Sequence, residues 1–159
     1  MKILLALSSR KLRNGKPNPK NYPFGVELVK LMKKTGMITV QVRTQEEEVL
    51  PTDEVYTDAS LEELKNLINE CDTFVTVDNF IQHYAVYLGK KGVVIFSKSD
   101  PKHFGYPQNI NLVKNKDYFR KYQFQTWEED EFVQEAFIGP EVVVSAIHQF
   151  SIDQPRIVH

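Results

Sequence analysis

The chain has 159 residues, the length of a single domain, with 42 % hydrophobic and 26 % charged residues, proportions that exclude disordered, fibrous and low-complexity classes. Its 20 Lys and Arg against 21 Asp and Glu leave a net charge of −1, which excludes a wholesale electrostatic nucleic-acid binder. The single cysteine, Cys71, excludes an internal disulfide and a multi-cysteine zinc site and points to a reducing, cytoplasmic setting.

Met1–Leu7 begins like a signal peptide, but its apolar run of five residues stops at Ser8 and basic residues follow from Arg10. Ile3–Leu7 therefore reads as a buried strand. No stretch approaches the roughly 20 apolar residues that span a bilayer, so no membrane span is expected. Ser8–Pro23, with Pro17, Pro19 and Pro23, is a loop. Phe24–Lys34 places Phe24, Leu28, Leu31 and Met32 at helical spacing, with Gly36 as its stop. Met37–Val42 is β-branched and reads as a strand, and Glu54–Thr57 as a brief third one. Leu61–Cys71 carries a helical apolar stripe, opened by a Ser60/Glu63 capping box.

Thr73–Val77 is a strand ending at Asp78. A short helix, Phe80–Leu88, follows, with Gly89 and Gly92 after it. Val93–Phe96 and Ile110–Val113 read as the fifth and sixth strands. Glu129–Phe137 and Glu141–Phe150 are expected as two helices split at Gly139-Pro140. Strands separated by helices imply parallel pairing and right-handed crossovers. The expected class is α/β, a Rossmann-like doubly wound parallel sheet, with one domain over residues 1–150 and a tail over 151–159.

Charge is unevenly spread. Residues 1–34 hold nine Lys/Arg and one acid, while residues 126–141 hold six acids and no base. The first of these is a solvated surface or a phosphate-attracting rim. Ligands of such sheets collect at the carboxyl ends of strands. Three segments lie there: Ser8-Ser9-Arg10, Asp78–His83, and Ser97–Pro101. Small hydroxyls, helix starts and cations suit a phosphate, although GxGxxG and GxxxxGK[ST] are absent. Asp78 is placed either to cap the following helix or to pair with His83 in the cleft. His103 lies in an aromatic loop, as part of a base or sugar pocket or simply packed. His148 and His159 have no supporting partners. The four histidines make no metal site, with no HExxH, and no GxSxG elbow supports a serine hydrolase.

The run Asp78-Asn79-Phe80-Ile81-Gln82-His83-Tyr84-Ala85, after an apolar strand and before Leu88-Gly89-Lys90, a buried strand and Ser99-Asp100-Pro101, resembles a signature of the heptosyltransferase-like glycosyltransferases. These are of the ADP-heptose:lipopolysaccharide type, with a glycosyltransferase-B fold. The family pattern is Asp-Ser/Thr-Gly-x-x-His-x-Ala. Lys20-Asn21-Tyr22-Pro23 is similar to its Lys-x-Trp-Pro, and Ser60–Leu64 to the helix start before the signature strand. The resemblance spans roughly residues 2–113.

It implies a nucleotide-sugar site and no other cofactor, the donor being a substrate. Lys20, Ser8 and Ser9 are implied at the diphosphate. Asp78, Asn79, Phe80 (by its backbone) and His83 are implied at phosphate and sugar, and Glu46 or Glu47 at the ribose. Arg10 and Ser97 complete the expected binding rim, and His83 and Asp78 are the candidate catalytic groups. Phe80 stands where the family has Gly, so crowding or an altered φ is expected there. Asn79 replaces a hydroxyl residue.

The chain begins where the family's second half begins. It is therefore expected to be a donor-binding half, completed by a homodimer or a separate acceptor-domain chain, or repurposed. The functions in view are glycosyl transfer from a nucleotide sugar, a non-catalytic nucleotide or nucleotide-sugar module, and an interaction protein on the same scaffold.

Overall fold

A computed structural model of the chain describes residues 1–128 and 130–153. Six strands alternate with helices: β1 Lys2–Ala6, α1 Gly25–Lys34, β2 Ile38–Arg43, β3 Glu54–Thr57, α2 Leu61–Glu70, β4 Thr73–Val77, α3 Phe80–Tyr87, β5 Val93–Phe96, a single turn α4 Pro101–Phe104, β6 Ile110–Val113 and α5 Pro140–Asp153. All pair in parallel in the order β3-β2-β1-β4-β5-β6. The chain winds outward from β1 to β3, then returns to β4 on the other side of β1. The switch point therefore lies between β1 and β4, where a crevice opens at the carboxyl ends of the strands.

Period-two alternation sorts the strand side chains between two helical layers. Ile3, Leu5, Val75, Val77 and Ile95 face α1 and α5, packing on Leu28, Met32, Val143 and Ile147. Leu4, Ala6, Val40, Phe74 and Phe96 face α2 and α3, packing on Leu64, Ile68, Ile81 and Ala85. Both faces are covered, which explains the apolar run of β1 after Lys2 and the burial of every residue of β4, Thr73 and Thr76 included.

The helix starts follow local chemistry. Ser60 accepts a hydrogen bond from the Glu63 N–H at 3.1 Å and caps α2. Asp100 accepts from the Lys102 N–H at 2.9 Å, with Pro101 opening α4. Replacing Ser60 by alanine is expected to destabilise the fold by about 1 kcal/mol. Urea melts check this, and ligand affinity should not change, because Ser60 lines neither of the cavities described below.

The expected helix over Glu129–Phe137 does not form. Its described part is irregular, with one 3-10 turn at Gln134–Ala136 between extended residues Val133 and Phe137. Ala136, Phe137 and Ile138 are all buried in succession. Three consecutive inward side chains cannot share one helix face; the segment instead threads into the α1/α5 layer. There the Tyr22 hydroxyl donates to the Ile138 carbonyl at 3.0 Å. The second expected helix is present as α5, which continues through Asp153. Residues 154–159, the rest of the expected tail, lie outside the described residues. No helix among the described residues is long and apolar enough to cross a membrane.

Cys71 closes α2 and is 2 % exposed, and burial pushes its thiol up to about 11. It is thus neutral at pH 8, and a thiol reagent must wait for opening. An opening free energy of about 3 kcal/mol slows labelling by about 100-fold relative to the denatured chain. Prompt labelling of the native protein would contradict the burial.

Candidate functional site

The β1/β4 crevice is framed first by the segments that follow these two strands. After β1, the proline-containing loop is pinned by two asparagines. Asn21 accepts from the Ser9 N–H at 2.8 Å. Asn18 donates to the Arg10 carbonyl at 3.1 Å and accepts from the Lys20 N–H at 3.0 Å. The loop is thereby folded back over β1, with the Tyr22 N–H on the Leu7 carbonyl at 3.0 Å, and Lys20 is delivered to the end of β4.

There, Lys20 Nζ donates to the Asp78 carbonyl at 3.2 Å and faces Asp78 Oδ2 at 3.4 Å. Asp78 Oδ1 accepts from Gln82 Nε2 at 3.3 Å. The Lys20 and Asp78 side chains are 18 % and 9 % exposed, so the pair is largely withdrawn from water. Asp78 does not cap α3. That task falls to Asn79, which accepts from the Gln82 N–H at 3.3 Å. The Asn79 amide also donates to the Ala6 carbonyl at 2.9 Å and the Ser8 carbonyl at 3.1 Å, tying β1 to α3. A Ser or Thr hydroxyl has one proton and could not make both donations.

Two cavities meet at this pair; Lys20, Asp78, Asn79 and Phe80 line both. The larger, about 730 Å³, runs over β1 and β2 and contains Ser8, Ser9, Arg10 and Lys11 from the β1 loop. From the ends of β2 and β3 it gains Arg43, Glu46, Glu47 and Asp58. Cations therefore dominate its β1 side and carboxylates its β2/β3 side, and the two meet where Lys11 Nζ lies 3.9 Å from Glu46 Oε2. Arg43 braces the carboxylate side, donating to the Glu47 carbonyl from Nε at 3.0 Å and Nη2 at 2.6 Å. Burial holds the Glu47 carboxyl above the usual carboxylate range. Asp58 sits at φ 53°, a left-handed backbone that Asp tolerates better than most residues.

The remaining sequence-predicted residues fall out as follows. Ser9 has its amide on Asn21 and its hydroxyl on the Asp78 carbonyl at 3.0 Å, so it holds the turn together. Phe80 is the first residue of α3 and keeps a negative φ; its ring is 57 % exposed and stacks on Tyr84 at 5.6 Å. Replacement of the family's Gly therefore leaves the backbone unstrained. His83 lines the smaller cavity, with Nδ1 2.7 Å from the Tyr106 hydroxyl. Among the described residues no hydrogen bond joins it to Asp78. Ser97 is 4 % exposed and lines neither cavity. His103 packs edge-on to Phe124 at 5.3 Å, the packed-loop alternative. Among the described residues, no group of three His, Cys, Asp or Glu side chains is placed to hold a metal.

Sequence reasoning missed Trp127. Two cations lie over its indole ring, Lys20 Nζ at 5.0 Å and the Arg120 guanidinium at 4.0 Å from the ring centre. Arg120 is fixed behind it by Asp130 at 2.7 Å and the Thr126 carbonyl at 2.7 Å. The single tryptophan seven residues after an arginine was the available signal, but nothing local connects it to Lys20.

Residues 33–132 match the model of glycosyltransferase family 9 (heptosyltransferase). No curated protein matches. Among solved structures, the chain is similar to a family 9 glycosyl transferase from Veillonella parvula, at 18 % identity and TM-score 0.68 over 97 % of this chain and 46 % of that one. It is similar to TibC of enterotoxigenic E. coli, described as an iron-containing dodecameric glycosyltransferase, at 14 % identity and TM-score 0.77 over 98 % and 46 %. TibC has also been solved with ADP-D-beta-D-heptose. A third is the E. coli ADP-heptose lps heptosyltransferase II, at 17 % identity and TM-score 0.62 over 94 % and 47 %. The chain thus spans about half the length of these structures, and at such identities the likeness is one of fold.

Proposed function

The chain belongs to glycosyltransferase family 9, and from that premise we propose that it binds a nucleotide-activated sugar at the β1/β4 crevice and serves glycosyl transfer from it. The observation that carries this reading is Lys20, held at the switch point between a bipolar cavity and a second, aromatic one. A nucleoside diphosphate has matching polarity. Its phosphates lie toward Arg10, Lys11 and Lys20, and its ribose hydroxyls toward Glu46, Glu47 and Asp58.

In transfer, the bond between the sugar's anomeric carbon and the diphosphate oxygen breaks, and charge grows on the leaving diphosphate. The Lys20 ammonium, fixed in advance by Asp78, stabilises that charge. Asp78 is committed to Lys20 and Gln82. That leaves His83, oriented through Nδ1 by Tyr106, as the candidate base for the acceptor. The acceptor-binding half comes from a second copy, another chain or a further domain. A second reading, binding without turnover, is favoured by one observation: Asp78 and Ser9 are both already engaged in internal hydrogen bonds.

The test is calorimetry and thermal shift with ADP, UDP, GDP, CDP and their sugar conjugates. A ligand at 100 times its Kd stabilises the fold by about 2.7 kcal/mol, raising the melting temperature by roughly 5–10 °C. A selective response supports the donor site. A flat panel overturns it, and binding without transfer supports the second reading.

A further inference from the structure

Lys20 carries the donor reading, and Asp78 engages two of the three N–H groups of its ammonium, at 3.2 and 3.4 Å. A further neighbour of that ammonium is the Trp127 ring, its centre 5.0 Å away. An indole attracts a cation through the electron density of its face and brings no negative charge of its own. It therefore restrains the ammonium without neutralising it, which a second carboxylate would do.

The ring's own position is set from β5. The Arg120 guanidinium lies over it, 4.0 Å from the ring centre. The Arg120 side chain is 7 % exposed and is held by Asp130 and the Thr126 carbonyl, both at 2.7 Å. Its charge is thus balanced and its plane fixed. The Arg120 backbone N–H donates to the Lys98 carbonyl at 3.0 Å. Gln123 adds three bonds, donating to the Lys98 and Arg120 carbonyls at 3.0 and 2.8 Å and accepting from the Asp100 N–H at 2.7 Å. Lys98 and Asp100 closely follow β5. The segment after β6 is thereby tied to the carboxyl edge of the sheet, the edge to which the β1 loop delivers Lys20.

We propose that Trp127 is a positioning residue for Lys20: braced by Arg120, it restricts the ammonium to the place where the diphosphate meets it. The proposal rests on the donor reading and adds a residue that acts on the ligand only through Lys20. A lysine stem is long and flexible, and immobilising it on binding weakens affinity. Holding the ammonium by both Asp78 and Trp127 lowers that cost before any ligand arrives.

The experiment is a double-mutant cycle. ADP, UDP, GDP and CDP are titrated calorimetrically into wild type, and the tightest of them is the probe. It is then titrated into Trp127→Phe, Trp127→Leu, Lys20→Met and Lys20→Met/Trp127→Leu, with melting curves to confirm that each folds. The two proteins lacking Lys20 are read by thermal shift at ligand concentrations that reach their weaker Kd. Trp127→Leu is expected to weaken binding about fivefold, the effect of freeing one long side chain. Trp127→Phe keeps a ring face for the ammonium and should stay within about twofold of wild type. In the Lys20→Met background, Trp127→Leu should change affinity by less than about twofold, because a residue acting through Lys20 has nothing left to act on. A merely structural role would instead weaken both backgrounds alike. Equal losses in the two backgrounds, or an unchanged or tighter Kd in Trp127→Leu, overturn the positioning role while the donor reading stands. Failure of every nucleotide to bind overturns both.

Discussion

Lys20→Met is expected to weaken binding of the preferred nucleoside diphosphate by more than about 100-fold, because two charge-assisted hydrogen bonds, each worth about 1.5–3 kcal/mol, are lost together. The ammonium is suited to this task because it is held before ligand arrives. It touches the Asp78 carbonyl and carboxylate and lies 5.0 Å from the Trp127 ring centre. Little side-chain entropy remains to be lost on binding.

The same substitution removes the ion partner of Asp78. A fully buried pair broken in this way costs about 3–5 kcal/mol. Here Lys20 is 18 % exposed and Asp78 keeps Gln82, so a smaller loss of about 1–2 kcal/mol is expected. The two effects separate in Lys20→Met/Asp78→Asn. Removing both charges should recover most of the stability and none of the affinity. Calorimetry and urea melts on the three proteins measure this. Affinity within threefold of wild type for Lys20→Met would show that the phosphates sit elsewhere.

What was legible in the sequence follows from how local its causes are. The strands read correctly because β1 and β4 are covered on both faces, and β-branched or aliphatic runs of that kind have few other uses. Neither place open to Asp78 is taken: Asn79, one residue on, caps α3, and His83 bonds Tyr106. Asp and Asn side chains can both cap, and the choice is made by the Ala6 and Ser8 carbonyls, more than 70 positions away in sequence, which need a donor that Asp lacks. Ser97 stands at a strand end as expected, yet its side chain is buried and away from both cavities. Position along a strand is readable; the direction a side chain takes just beyond the strand is not. Trp127 and Arg120 were invisible as site neighbours because only the folding-back of the segment after β6 brings them to Lys20. The run Ala136-Phe137-Ile138 is apolar enough for a helix stripe, and its burial on all sides is a tertiary outcome.

The largest effect on stability is expected at Gly92. Gly89 and Gly92 look alike in sequence, both following α3 as terminators, but the structure gives them different reasons. Gly89 has φ 80° with open space around it, so Gly89→Ala costs about 1–2 kcal/mol for a left-handed backbone. Gly92 has no such conformation. A Cβ there would lie 2.6 Å from the Phe74 ring and 2.6 Å from the Phe74 carbonyl oxygen. Phe74 is 1 % exposed and packed among Leu64, Ile68 and Ala85, so the ring has nowhere to go, and the carbonyl belongs to β4. Gly92 is also held from the other side. Its N–H donates to Asn109 Oδ1 at 3.0 Å and its carbonyl accepts from the Ile110 N–H at 2.9 Å. A methyl group therefore pushes β5 away from β4 against its own anchoring to β6. Overpacking of this kind costs about 3 kcal/mol or slightly more where relief requires backbone movement. The melting temperature should fall by roughly 6–12 °C. Gly89→Ala is the internal control, and a smaller shift for Gly92→Ala than for Gly89→Ala would refute the close approach. Adding Phe74→Leu relieves the ring contact but not the carbonyl contact, so the double variant should recover only part of the loss. Because Phe74 and Gly92 lie at the amino ends of β4 and β5 while Asp78 follows the carboxyl end of β4, any of these variants that folds should still bind nucleotide.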